Sequence, residues 1–133
     1  MDEYQQLQLL QRLVTDTESS VGAKVVYEPY RKKELISAKP PRSFHLKTPH
    51  PTSPGKQVFA YARIKPVVAC LGISTWEKCL KDADIARMPH CEFVRGLQYG
   101  EGGRRWKKVC RTDDEAYREV VYALSKACRY CLW

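Results

Sequence analysis

At 133 residues with 44% hydrophobic content, the chain has the size of one domain and enough apolar residues to bury a core. It holds no run of about 18 apolar residues and no positive flank leading into an apolar stretch of roughly 7 to 15, so neither a membrane span nor a secretion signal is expected. The formal charge of +8 is uneven, with +6 in residues 21–56 and +4 in residues 91–111, a distribution suited to polyanions.

In chain order, Asp2 to about Asp16 reads as a helix, because Tyr4, Leu7, Leu10 and Leu13 or Val14 recur at helical spacing behind acidic first residues. A short strand is expected over 24–27, before Pro29 interrupts. Residues 37–56 hold Pro40, Pro41, Pro49, Pro51 and Pro54 and read as a loop with one brief strand at 43–47, since proline removes an amide donor and fixes φ. Residues 57–64 alternate cleanly. Val58, Ala60, Ala62 and Ile64 fall on one face and Phe59, Tyr61 and Arg63 on the other, which predicts a strand.

Ser74 with Glu77 three residues on makes a capping box, and Trp76, Cys79, Leu80, Ala83 and Ala86 form a stripe, so a helix is predicted over 74–87, ended by Pro89. Residues 91–99 and 104–111 then read as two strands joined at Gly100-Glu101-Gly102-Gly103. Thr112 caps a final helix whose first turn carries Asp113, Asp114 and Glu115 and whose inner stripe is Tyr117, Val120, Val121, Leu124, Cys128 and Cys131. The expected architecture is one α+β domain over 1–133. It is a small antiparallel sheet with N-terminal, middle and C-terminal helices, ending in a β-hairpin followed by a helix, with a proline-rich loop at about 37–56.

The six cysteines are even in number, but without a secretion signal several of them fit apolar faces as reduced core thiols. An intracellular location, in nucleus or cytoplasm, goes with that reading; secretion would require a leader already removed. Cys128 and Cys131 make half a zinc site, with Cys110, Cys91 and His90 as further donors. No second close pair exists and the two sit on a helix's apolar stripe, so no cofactor is expected. Catalysis has little support. His45, His50 and His90 lie in or beside loops, and the glycine-rich turn lacks the Gly-Lys-Ser/Thr of a phosphate-binding loop.

Binding has more. Arg104-Arg105-Trp106-Lys107-Lys108-Val109-Cys110-Arg111 carries five basic residues among eight. Alternation puts Arg105, Lys107 and Arg111 with Val109 on one face and Arg104 and Lys108 beside Trp106 on the other. The competing expectation is an edge strand protected from aggregation by its charges, with Trp106 in the core. Phe59, Tyr61 and Arg63 offer two aromatics and a cation spaced as in sheets that hold single-stranded RNA, or two residues that pack beneath a helix.

Phe59-Ala60-Tyr61 resembles the centre of the octamer of RNA-recognition-motif proteins, without its preceding glycine and with Ile64 at its later aromatic position. The hairpin running into Thr112-Asp113-Asp114-Glu115-Ala116 resembles the strand-to-helix junction of the plant Apetala-type DNA-binding domain, which has a further strand. The order helix, three strands, helix is similar to the double-stranded-RNA-binding fold, whose last helix opens with lysines where this one opens with acids. Tyr30-Arg31-Lys32-Lys33-Glu34-Leu35-Ile36 resembles the linear motif of partners of the mRNA cap-binding initiation factor, which would dock as a short helix anchored by Tyr30, Leu35 and Ile36. These stretches cover too little of the chain to name a family.

Two functions follow as expectations. The first is a non-enzymatic nucleic-acid-binding protein, RNA or DNA, using the basic hairpin strand and nearby aromatics. The second is a protein-interaction adaptor engaging a protein partner through the N-terminal helix, residues 30–36 or the proline-rich loop; no membrane partner is expected.

Overall fold

A computed structural model describes residues 2–29, 41–48, 58–67, 69–91, 93–95, 104–109 and 114–132. Helix α1 spans Glu3–Val21, and strands β1 Val26–Pro29, β2 Ser43–Lys47, β3 Val58–Lys65 and β4 Cys70–Trp76 follow. A single 3-10 turn at Glu77–Cys79 leads to the short helix α2, Asp82–Ala86. Strands β5 Phe93–Arg95 and β6 Arg104–Val109 precede helix α3, Asp114–Leu132. For β5 and β6 the description is of backbone pairing. All strand pairs are antiparallel, in the order β1-β2-β3-β4-β6-β5. This is the expected α+β class.

Helix α1 starts where its sequence caps it. The Gln5 amide donates to Asp2 Oδ1 (2.7 Å) and the Asp2 amide to Gln5 Oε1 (3.0 Å), a reciprocal box that satisfies two otherwise orphaned amides. It ends at Gly22, whose φ of 77° is the left-handed conformation that closes a helix without a Cβ clash. The helix therefore runs about a turn past Asp16. Its buried stripe is Gln6, Leu9, Leu10, Leu13, Val14 and Thr17, rotated from the expected one so that Tyr4 is 68% exposed.

The rotation has a cause in Gln6. Its side chain bridges the end of β3, with the Lys65 amide donating to Gln6 Oε1 (2.9 Å) and Gln6 Nε2 donating to the Lys65 carbonyl (3.4 Å). Burying a polar amide costs little when it is paired in this way.

Helices α1 and α3 lie together on one face of the sheet. From α1 come Leu9, Leu10, Leu13 and Val14; from α3 come Tyr117, Val120, Leu124, Ala127 and Cys128. They meet Phe44, Leu46, Ala60, Ala62, Ile64, Leu71 and Ile73, the alternate residues of β2, β3 and β4. Full burial of each leucine contributes about 1.5 to 3 kcal/mol. Between the helices, Tyr117 donates its hydroxyl to Asp16, and Arg12 stacks its guanidinium 4.1 Å from the Tyr117 ring centre. Burial, with the Asp16 carboxylate adding to it, pushes the Tyr117 phenol pKa well up. With its stripe in the core, α1 is a structural layer of the fold.

The helix predicted over 74–87 is replaced by the end of β4, the 3-10 turn and the five-residue α2. Alternation from Cys70 to Trp76, with β-branched Ile73 and Thr75 on the core side, decides it, because β4 is paired on both sides by β3 and β6. Ala83 and Ala86, expected to face inward, are exposed, and the amide of Lys81 is capped by Asp84 (3.1 Å) instead. Cys79 and Leu80 are buried as expected, Leu80 in a small satellite cluster with Met88 and Ala123.

The cysteines divide. Cys79, Cys91, Cys128 and Cys131 carry thiols, as expected of cysteines on apolar faces, whereas Cys70 is disulfide-bonded and departs from that expectation.

Candidate functional site

The sheet face turned away from α1 and α3 is ordered by register. One row crosses all six strands: Glu28 opposite His45, His45 opposite Tyr61, Tyr61 opposite Ser74, Ser74 opposite Trp106, and Trp106 opposite Val94. The next row runs Ser43, Arg63, Gly72, Lys108. Residues directly opposite on one face stand about 4.5 to 5.5 Å apart at Cβ, close enough for rings to touch.

They do. The His45 and Tyr61 rings meet edge to face at 5.2 Å, and Tyr61 meets Trp76 in the same manner at 5.9 Å, so three rings form a continuous chain over β2, β3 and β4. All three are half-buried, their flanks held and part of each ring accessible. Lys78 extends its ammonium 6.0 Å from the Trp76 ring centre and 5.9 Å from that of Tyr130. At the opposite edge Lys47 pairs with Glu28, and the hydrogen bond and charge of Lys47 hold the Glu28 carboxyl below its usual pKa. Arg63 is exposed and makes no ion pair or side-chain hydrogen bond among the described residues. Beneath the row Ser74 is 1% exposed, and its hydroxyl has no hydrogen-bond partner among the described residues.

Of the residues expected to bind, Tyr61 and Arg63 stand on this face. Phe59 does not share it. β3 carries a bulge there, with Leu46 opposite Ala60 but Lys47 opposite Val58, and the extra residue lets Phe59 sink into the core at 0% exposure. The basic strand Arg104, Arg105, Trp106, Lys107, Lys108 is β6. It lies between β4 and β5, so it is not the edge strand that the alternative required. Register puts Arg104, Trp106 and Lys108 opposite Trp76, Ser74 and Gly72, in the rows of the ring face. Arg105 and Lys107 stand opposite Thr75 and Ile73, in the helix-side rows.

Arg111 and the motif Tyr30, Leu35, Ile36 lie outside the described residues. Two ring-face residues are not among those expected to bind: His45, which the sequence puts in the brief strand over 43–47, and Trp76, which it puts in the helix over 74–87. Alternation over 70–76 was the signal that could have found Trp76.

The metal candidates Cys128 and Cys131 belong to α3, on the other side of the sheet. Cys128 is fully buried, and burial pushes its thiol up to about 11; burial likewise pushes Cys79 to about 12, with the nearby Cys131 adding to the shift. Cys131 directs its thiol at the Val58 carbonyl (3.8 Å). Cys110 lies outside the described residues. Cys91 directs its thiol at the Ala116 carbonyl (3.6 Å). His90 is held against Glu115 (2.8 Å) and Glu119 (3.4 Å), and its amide donates to Glu119. Among the described residues no group of three His, Cys, Asp or Glu side chains is arranged to hold a metal ion, and no helix is long and apolar enough to cross a membrane.

Comparison with protein-family models, curated proteins and solved structures finds no match to this chain.

Proposed function

We propose that this protein binds single-stranded nucleic acid on the sheet face turned away from its two long helices. The observation that carries the reading is the edge-to-face chain His45, Tyr61, Trp76, bordered by exposed Arg63 and aligned in register with Arg104, Trp106 and Lys108. Bases stack on partly exposed rings at about 1 to 3 kcal/mol each regardless of sequence, and cations between the rings neutralise the backbone. The second long helix lies behind the sheet and supports it, so its acidic first turn does not confront the strand.

The test is a titration of the full chain with oligouridylate and oligothymidylate at two salt concentrations, followed by tryptophan fluorescence. Log affinity should fall with log salt by about 0.7 per phosphate neutralised. Tyr61→Ala should weaken binding by roughly 5- to 150-fold, the equivalent of about 1 to 3 kcal/mol. Absent or salt-independent binding to both oligomers overturns the proposal.

A further inference from the structure

At the end of β3 the ring face opens into a basin of about 460 Å³ lined by Arg42, Ser43, Arg63, Lys65, Pro66 and Val67. That volume lies within the roughly 300 to 1,000 Å³ typical of small-ligand sites. Three of the lining side chains are cationic and none is acidic. Glu3, on α1, pairs with Arg42 at 2.8 Å.

The basin is built into the fold. Arg42 is fixed from behind by its carbonyl, which accepts from the Ile64 amide (2.8 Å), and the Lys65 backbone is gripped by Gln6. The Lys65 side chain lies across Gly72, where a Cβ would come within 2.9 Å of Cε. The absence of a side chain at 72 is therefore what lets Lys65 lie down along the sheet beside Arg63, which stands opposite Gly72.

We infer that this basin holds a terminal phosphate of the bound strand, a phosphomonoester received by Arg42, Arg63 and Lys65. The inference rests on the nucleic-acid reading for the identity of the strand. Arg63 is two residues from Tyr61 on the same face of β3, so a phosphate here sits one nucleotide step from a base on that ring. Pro66 and Val67 at the β3–β4 turn and the Glu3–Arg42 pair bound the basin, which favours a strand end over a passing diester. A monoester also carries more charge than a diester, and bidentate arginine contacts suit its three terminal oxygens.

The experiment compares a uridylate hexamer with and without a 5′-phosphate, and separately titrates inorganic pyrophosphate while amide resonances are followed by NMR. The 5′-phosphate should tighten binding about tenfold. Arg63→Gln, at an exposed position, should abolish that gain, and Gly72→Ala should reduce it by displacing Lys65. Pyrophosphate should shift the amides of 42, 43, 63–65 and 67 in the wild type and in Tyr61→Ala alike. Equal affinity for the two hexamers, with no pyrophosphate response at these amides, overturns the subsite and leaves the stacking face standing. A 3′-phosphate that gives the gain when a 5′-phosphate does not supports the subsite with the opposite strand polarity. Pyrophosphate shifts in a protein that binds neither hexamer support the anion basin and overturn the nucleic-acid reading.

Discussion

The two faces of this sheet are made from alternate residues of the same strands, yet they are held together by different forces. On the helix side Leu46, Ala60, Ala62, Leu71 and Ile73 are almost wholly removed from water and contribute through area and close packing. On the other side His45, Tyr61 and Trp76 are half-buried and meet edge to face beside an exposed Arg63, with Trp76 also packed against the core. The first face therefore has more stability to lose, and the second keeps more accessible chemistry.

Substitutions should separate the faces. The largest loss is expected for Leu10→Ala or Leu124→Ala, both on the helix side and essentially fully buried: about 2 to 5 kcal/mol in urea or thermal unfolding, with the cavity adding to the transfer loss. Gln6→Ala should cost about 1 to 3 kcal/mol, because it strands the Lys65 backbone groups that the side chain satisfies. Tyr61→Ala, on the ring face, loses two edge-to-face contacts worth about 0.5 to 1.5 kcal/mol each and should cost less stability than Leu10→Ala while it weakens binding. If it unfolds the protein as Leu10→Ala does, the distinction between faces fails.

The thiols give a smaller, pH-dependent difference. Cys79 and Cys128 have pKa values raised by burial from an ordinary 9.0 to about 12 and about 11. The folded chain holds these protons more tightly than the unfolded one, so their contribution is complete below pH 9 and declines as pH rises toward 11 and 12. Alkylation at pH 8 followed by mass spectrometry should label the half-buried Cys91 and Cys131 before Cys79 and Cys128.

Much of the helix-side face was readable in the sequence because burial imposes a period. The stripe Tyr117, Val120, Leu124, Cys128 and the alternation Ala60, Ala62, Ile64 both stand as expected. What failed was local competition. Ser74 and Glu77 satisfy a helix-start pattern that pairing with β3 and β6 overrides, and no short window reveals those partners. The bulge that buries Phe59 is likewise a property of register with β2. Tyr61 and Arg63 were legible because they share a strand, whereas His45, Trp76 and Arg42 reach the same face from separate segments and Lys65 ends β3 one residue past the predicted strand. Lys65 depends further on the bare backbone of Gly72, a relation visible only in three dimensions.

The position of β6 inside the sheet also sets an order of assembly. The β3–β4 hairpin closes over a few residues, with Lys65 opposite Cys70, while Leu71 and Val109 must find each other across 38 positions of chain. Loop closure alone makes the second pairing about 2 kcal/mol less favourable than the first. The meander of β3 and β4 can therefore form early, and β6, with the three residues it adds to the ring rows, is inserted late. A chain released before that insertion would already contain His45, Tyr61 and Trp76 but only half the surface, so full binding competence would lag behind the first appearance of sheet structure.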